Sequence, residues 1–169
     1  MVGALKAVLI AIISTVVLFL IMQLAFFFPF YLTIVVEAFN LSNIAANDNY
    51  VKEMYYDHSL DGLRSRAVFN KLPDEIMIEI VATDASGNTW EAVGDDDERT
   101  YSHQDGPYVN GTRKPYLQRG SPVTVTITAV YPIEMTLWGR TITHPFPVSF
   151  SMTSIGLKYY KDLEWDGYP

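Results

Sequence analysis

Thirty consecutive residues, Ala7 to Val36, contain no Asp, Glu, Lys or Arg (AVLIAIISTVVLFLIMQLAFFFPFYLTIVV). A helix that is apolar all round has to be buried in protein or in lipid. The hydrocarbon core of a bilayer, about 30 Å thick, is crossed by roughly 20 apolar residues, and this block would be about 45 Å long if wholly helical. It is long enough to span, with a surplus. A cleaved secretory signal has an apolar core of about 7–15 residues followed by small residues at the cleavage site. Here the nearest small pair, Ala45-Ala46, lies well past the apolar core, after a polar stretch. A retained hydrophobic helix is therefore expected.

Charge divides the chain in the same place. All 19 acidic residues lie at or after Glu37, and Lys6 is the only basic residue before it, so the remainder carries 11 basic residues against 19 acidic ones, a formal charge of −8. Lys6 favours a cytoplasmic N-terminal end and places the acidic part outside. Nucleic acid is not an expected partner, because binding it requires clustered Lys and Arg that replace counterions. The chain has no cysteine, so disulfides, cysteine-ligated zinc, iron–sulfur clusters and c-type haem attachment are excluded. The 133 residues after Val36 suffice for one domain with a modest core.

From Glu37 to Arg64 polarity rises while a helical rhythm persists through Leu41, Ile44, Ala45, Val51, Met54 and Tyr55. The pattern predicts one kinked helix of about 55 residues, bent at Pro29 and closing near Gly62 at residues 60–64. The alternative is a helix ending near Phe28, with a second beginning after Pro29. Strands are expected next. Ile76, Ile78, Ile80 and Ala82 alternate with Met77, Glu79 and Val81. Thr89–Val93 is a shorter candidate, and Val123 to Tyr131 alternates most cleanly, against Thr124, Thr126 and Thr128. Met135–Trp138 and Arg140–Thr143 flank Gly139 as a hairpin, and Val148, Phe150 and Met152 alternate with hydroxyl residues. The expected fold class is α+β. A long kinked N-terminal hydrophobic helix (1–64) continues as an amphipathic spine, packed on a C-terminal antiparallel β-sheet of four or five strands (65–169) that carries a long acidic loop at 83–122. The aromatic tail from Gly156 is expected to pack back on the body.

Sites of chemistry are sparse. Asp95-Asp96-Asp97-Glu98 offers oxygen ligands for calcium but lacks the spacing of an EF-hand. Asp57 and Asp61 would share a helix face beside His58, and His103 and Asp105 are neighbours. No G-x-S-x-G elbow, H-E-x-x-H helix or phosphate-cradling glycine loop is present, so neither an enzyme nor a cofactor is expected. Asn110-Gly111-Thr112 and Asn40-Leu41-Ser42 match the glycosylation sequon, and Asn110 is the accessible candidate. The aromatics Phe26, Phe27, Phe28, Phe30 and Tyr31 are assigned to packing. Ala4, Ala7, Ala11 and Ser14 recur at three- and four-residue steps on one helix face, a stripe that lets apolar helices approach closely.

A very short polar start, a long apolar helix that becomes an amphipathic spine, and a closing antiparallel sheet together resemble the type IV pilins of bacteria and archaea. Within that superfamily, GSPVTVTITAVYPIEMTLWGRTITHPFPVSFSMTS from Gly120 to Ser154 looks like the closing strands of TadE-like pilus proteins, and the helix from about Ala4 to Leu63 fits the same layout. Many type IV pilins carry glutamate at the fifth mature position. Here that place is Leu5, or Val8 if processing follows Gly3. The resemblance implies a structural subunit that sits in the cytoplasmic membrane by its N-terminal helix, is handled by pilus assembly machinery, and polymerises with copies of itself into a cell-surface filament. A single-pass anchored surface domain, binding a ligand or serving a pilus or secretion machine as an accessory, is the other expectation.

Overall fold

The computed structural model describes residues 2–94, 108–109, 112–113, 116–137 and 139–161. Helix α1 (Val2–Asp48) is followed by strand β1 (Val51–Lys52), helix α2 (Glu53–Arg64) and two 3-10 turns (Ala67–Phe69 and Pro73–Glu75). Strands β2 (Met77–Thr83), β3 (Thr89–Glu91), β4 (Val93–Gly94), β5 (Tyr108–Val109), β6 (Thr112–Arg113), β7 (Pro122–Leu137) and β8 (Arg140–Ile155) follow among the described residues.

Helix α1 runs unbroken through Pro29, so the two-helix alternative divided there does not hold. The break falls instead at Asn49, whose φ of 62° ends the helix in a left-handed conformation that asparagine tolerates better than most residues. The expected single spine to residue 64 is therefore two helices joined by β1. Val51 is buried, but in a strand that pairs in parallel with β4. Met54 and Tyr55 are exposed, and α2 turns Ser59 and Leu63 inward.

The main sheet has the order β3-β2-β7-β8, every neighbouring pair antiparallel. Register places Ile78, Ile127 and Phe150 in one row and Ile80, Val125 and Met152 in the next. Of these, Ile78, Ile80, Val125 and Ile127 are buried. The opposite face of β7 and β8 is a ladder of hydroxyl pairs: Thr124 with Thr153 at 2.9 Å, Thr126 with Ser151 at 2.9 Å and Thr128 with Ser149 at 3.1 Å. The buried face is covered by α1, whose Phe30, Ile34, Ala38, Leu41 and Ala45 are each at most 1% exposed, and helix and sheet share one core. Burying a side chain such as Ile34 or Leu41 stabilises by about 1.5–3 kcal/mol.

Where separate short strands are expected after Tyr131, β7 and β8 are each 16 residues long, paired from Pro122↔Ile155 to Leu137↔Arg140. Prolines 132, 145 and 147 are tolerated because β8 is an edge strand and β7 has no partner in β2 beyond Thr128. The result is a two-stranded arm that outruns the sheet. The 83–122 stretch, expected as a loop, contributes to the core at both ends through Ala92, Val93, Tyr116, Leu117 and Gln118. Of the tail after β8, the described residues 156–161 pack back as expected: the Tyr160 ring stacks on Tyr116 at 3.7 Å, and its hydroxyl donates to the Asp48 carbonyl at 2.7 Å, while 162–169 lie outside the described residues.

Candidate functional site

From Gly3 to Leu18 every residue of α1 is exposed, and up to Met22 only Phe19 is partly covered. The bare segment Gly3–Met22 is thus about 30 Å long at 1.5 Å per residue, the thickness of a hydrocarbon core. The surplus in the 30-residue apolar block is the part from Gln23 to Val36, which lies against the sheet. Among the described residues α1 is the one helix long and apolar enough to cross a membrane, with a mean hydropathy of 2.7 in its most apolar window.

Gln23 marks the change of surroundings. Its Nε2 donates to the Glu134 carbonyl at 3.1 Å, and the Tyr131 hydroxyl lies 3.4 Å from both its carbonyl and its Oε1. Sequence reasoning missed this residue, although a lone amide in an apolar run is itself a signal. The neighbouring aromatics divide by face. Phe27 meets Tyr131 edge-on at 5.3 Å, Phe30 packs on Phe69 at 4.6 Å and Tyr31 meets Phe150 at 6.2 Å, whereas Phe26 and Phe28 are 63% exposed. Burial raises the Tyr131 phenol above its ordinary pKa, with the Lys71 charge acting the other way.

Ala4, Ala7, Ala11 and Ser14 all lie on the bare segment and are exposed. At 100° per residue their stripe stands about 160° from the sheet-facing stripe, on the far side of the helix. Followed upward, the same side carries Leu18, Ala25, Leu32, Val36 and Phe39. Leu32, Val36 and Phe39 are 49%, 47% and 49% exposed although that part of α1 is already held against the sheet. An uncharged stripe, apolar but for Ser14, therefore runs from Ala4 to Phe39, and the exposed amides of Asn40 and Asn43 close it. Pro29 falls within the stripe, on the uncovered side.

Between α1, the first 3-10 turn and β7 lies a groove of about 430 Å³ lined by residues that include Gln23, Phe26, Lys71 and Glu134. The Lys71 ammonium and Glu134 carboxylate form an ion pair at its rim.

Asp57, His58 and Asp61 are exposed on α2, and among the described residues no three His, Cys, Asp or Glu side chains converge. Asn40 is exposed on α1. The acidic run 95–98, His103, Asp105 and the Asn110 sequon lie outside the described residues. No family model matches the chain, and no curated protein or solved structure matches it. The arrangement defines an α+β body carried on one helix of membrane-spanning length.

Proposed function

We propose that the chain is a structural, pilin-like subunit that polymerises through α1 into an extracellular filament of the type IV pilus kind. One observation carries the reading: the apolar outer stripe of α1 continues past the bare segment to Phe39. A domain standing alone above a membrane gains nothing from apolar side chains there. A bundle of α1 helices from neighbouring copies buries them, at about 25 cal/mol per Å² removed from water.

Before assembly the subunit sits in the cytoplasmic membrane, with the Lys6 end inside and the acidic body outside. Pilus assembly machinery withdraws it, and lipid contacts of α1 are exchanged for contacts with other copies. Within the apolar layer that exchange rests on close packing of small residues, with Ala7 and Ala11 at the closest approach. The test is a pair of substitutions on the exposed stripe. Ala11→Leu and Val36→Glu leave membrane insertion and the body intact and reduce filaments in sheared surface fractions viewed by electron microscopy. Abundant normal filaments from both variants overturn the reading.

The anchored-domain reading draws on the match between the bare segment and one hydrocarbon layer. It is favoured if the chain is recovered only as a monomer in the membrane fraction, with no polymer.

A further inference from the structure

We propose that the groove beside Gln23 is the docking site for α1 of a second copy of this chain, which seats its Phe28 side chain there. The proposal rests on the polymer proposed above and names the contact that builds it. The groove, of about 430 Å³, has apolar walls where Phe26 and Pro29 of α1, Val68 of the 3-10 turn and Pro132 of β7 approach one another. At its rim Lys71 and Glu134 answer each other's charge, so an occupant needs to bring none. A phenyl ring meets that condition, and an aromatic anchor in an apolar pocket is the usual centre of a protein interface.

The chain carries the matching part. Phe26 and Phe28 lie two residues apart, so at 100° per residue they stand about 80° to either side of the outer stripe of α1. With that stripe turned to the middle of a bundle, the two rings face opposite neighbours. The Phe26 side holds the groove, and on the other side Phe28 protrudes, 63% exposed. Knob and groove share one height, because Phe28 adjoins Pro29 of the groove wall. Each copy thus offers Phe28 to one neighbour and its groove to the next, a head-to-tail contact that propagates as an open helix when its rotation does not close. The uncovered side of α1 from Gly3 to Pro29 is about 40 Å long, and a third of its circumference is about 12 Å wide. Contact over that strip buries about 1,000 Å² on two copies together, the least that a specific interface needs.

The test compares filament yields from the full chain. Phe28→Ala and Val68→Trp, at positions 63% and 39% exposed in the parent, are each expected to lower the yield several-fold while leaving the thermal transition of the detergent-solubilised monomer unchanged. The double variant sets a filled groove against a shortened knob and is expected to recover most of the loss. In a chain without cysteine, Val68→Cys supplies a single thiol, which is expected to react with a maleimide several-fold more slowly in filaments than in the monomer. A double variant whose losses simply add overturns the docking, as does a thiol already protected in the monomer, which would assign the groove to lipid or detergent. If the parent chain forms no polymer, the proposed function falls and the docking with it, whereas filaments without the rescue overturn the docking alone.

Discussion

A Cβ at Gly156 would lie 2.6 Å from both Cγ and Oδ1 of Asn49, so the glycine that ends β8 and the asparagine that ends α1 occupy one another's space. Asn49 is 0% exposed, and its amide is fully engaged. Nδ2 donates to the Leu117 carbonyl at 2.9 Å and the Lys158 carbonyl at 2.7 Å, and Oδ1 accepts from the Lys158 N–H at 2.9 Å. The contact ties the helix end to two segments far away in sequence.

Gly156→Ala forces Asn49 out of this position and is expected to cost about 1–3 kcal/mol, the range for overpacking. Asn49→Gly preserves the left-handed backbone but leaves buried carbonyls unpaired, at about 1–3 kcal/mol each. Both losses are read as lowered unfolding midpoints of the full chain in detergent by circular dichroism. A Gly156→Ala protein as stable as the parent would contradict the packing.

Under the proposed polymerisation, the two faces of α1 separate folding from assembly. Ile34→Ala, at a fully buried position, is expected to lose about 2–5 kcal/mol of stability. Leu32→Ala, two residues away and 49% exposed, is expected to change the stability of the monomer by no more than about 0.5 kcal/mol and, under the proposed function, to weaken the polymer. Denaturation curves and sedimentation of filaments measure the two effects on the same preparations.

Asp84 accepts from the Ser86 N–H at 2.9 Å, the Asn88 N–H at 2.8 Å and Asn88 Nδ2 at 2.8 Å, closing the turn between β2 and β3. These bonds, the Asn88 side chain foremost, hold its carboxyl below the ordinary value. Because the folded value is the lower one, the stabilisation is present above the unfolded pKa and is lost as pH falls through the folded pKa. The protection of the Gly87 and Asn88 amides, taken relative to intrinsic exchange at the same pH, is therefore expected to fall in acid. Asp84→Asn removes that acid step, and a step persisting in the variant would assign it to another group.

The body after Val36 carries a formal charge of −8, so in the proposed filament neighbouring copies would repel one another. Screening shortens this repulsion to about 10 Å at 0.1 M salt. Polymer yield measured by sedimentation is expected to rise between about 10 mM and 150 mM salt, and indifference to salt would show that packing alone limits assembly.

What could be read from local sequence is what depends on local period. Ile78 and Ile80, Val123 to Tyr131, and the Leu41–Ala45 step declare their buried faces because strand and helix repeats are set by backbone geometry. The end of α1 was not legible in this way. The left-handed turn at Asn49 is held by Leu117 and Lys158, 68 and 109 residues along the chain. The arm was hidden for a similar reason. Prolines 132, 145 and 147 argue against long strands until the pairing shows that they stand on open edges.

The candidate site divides along the same line. Sequence alone determined that the chain is uncharged through its first 36 residues apart from Lys6, that the remaining charge lies beyond them, and that Ala4, Ala7, Ala11 and Ser14 share a face. Tertiary structure alone decided which apolar residues meet the sheet and which stay bare. Phe27 and Phe28 are chemically identical, and only the placement of Tyr131 and Phe146 covers the first and leaves the second exposed. Hydrophobicity is a property of the residue, whereas its burial is a property of what the rest of the chain brings to it.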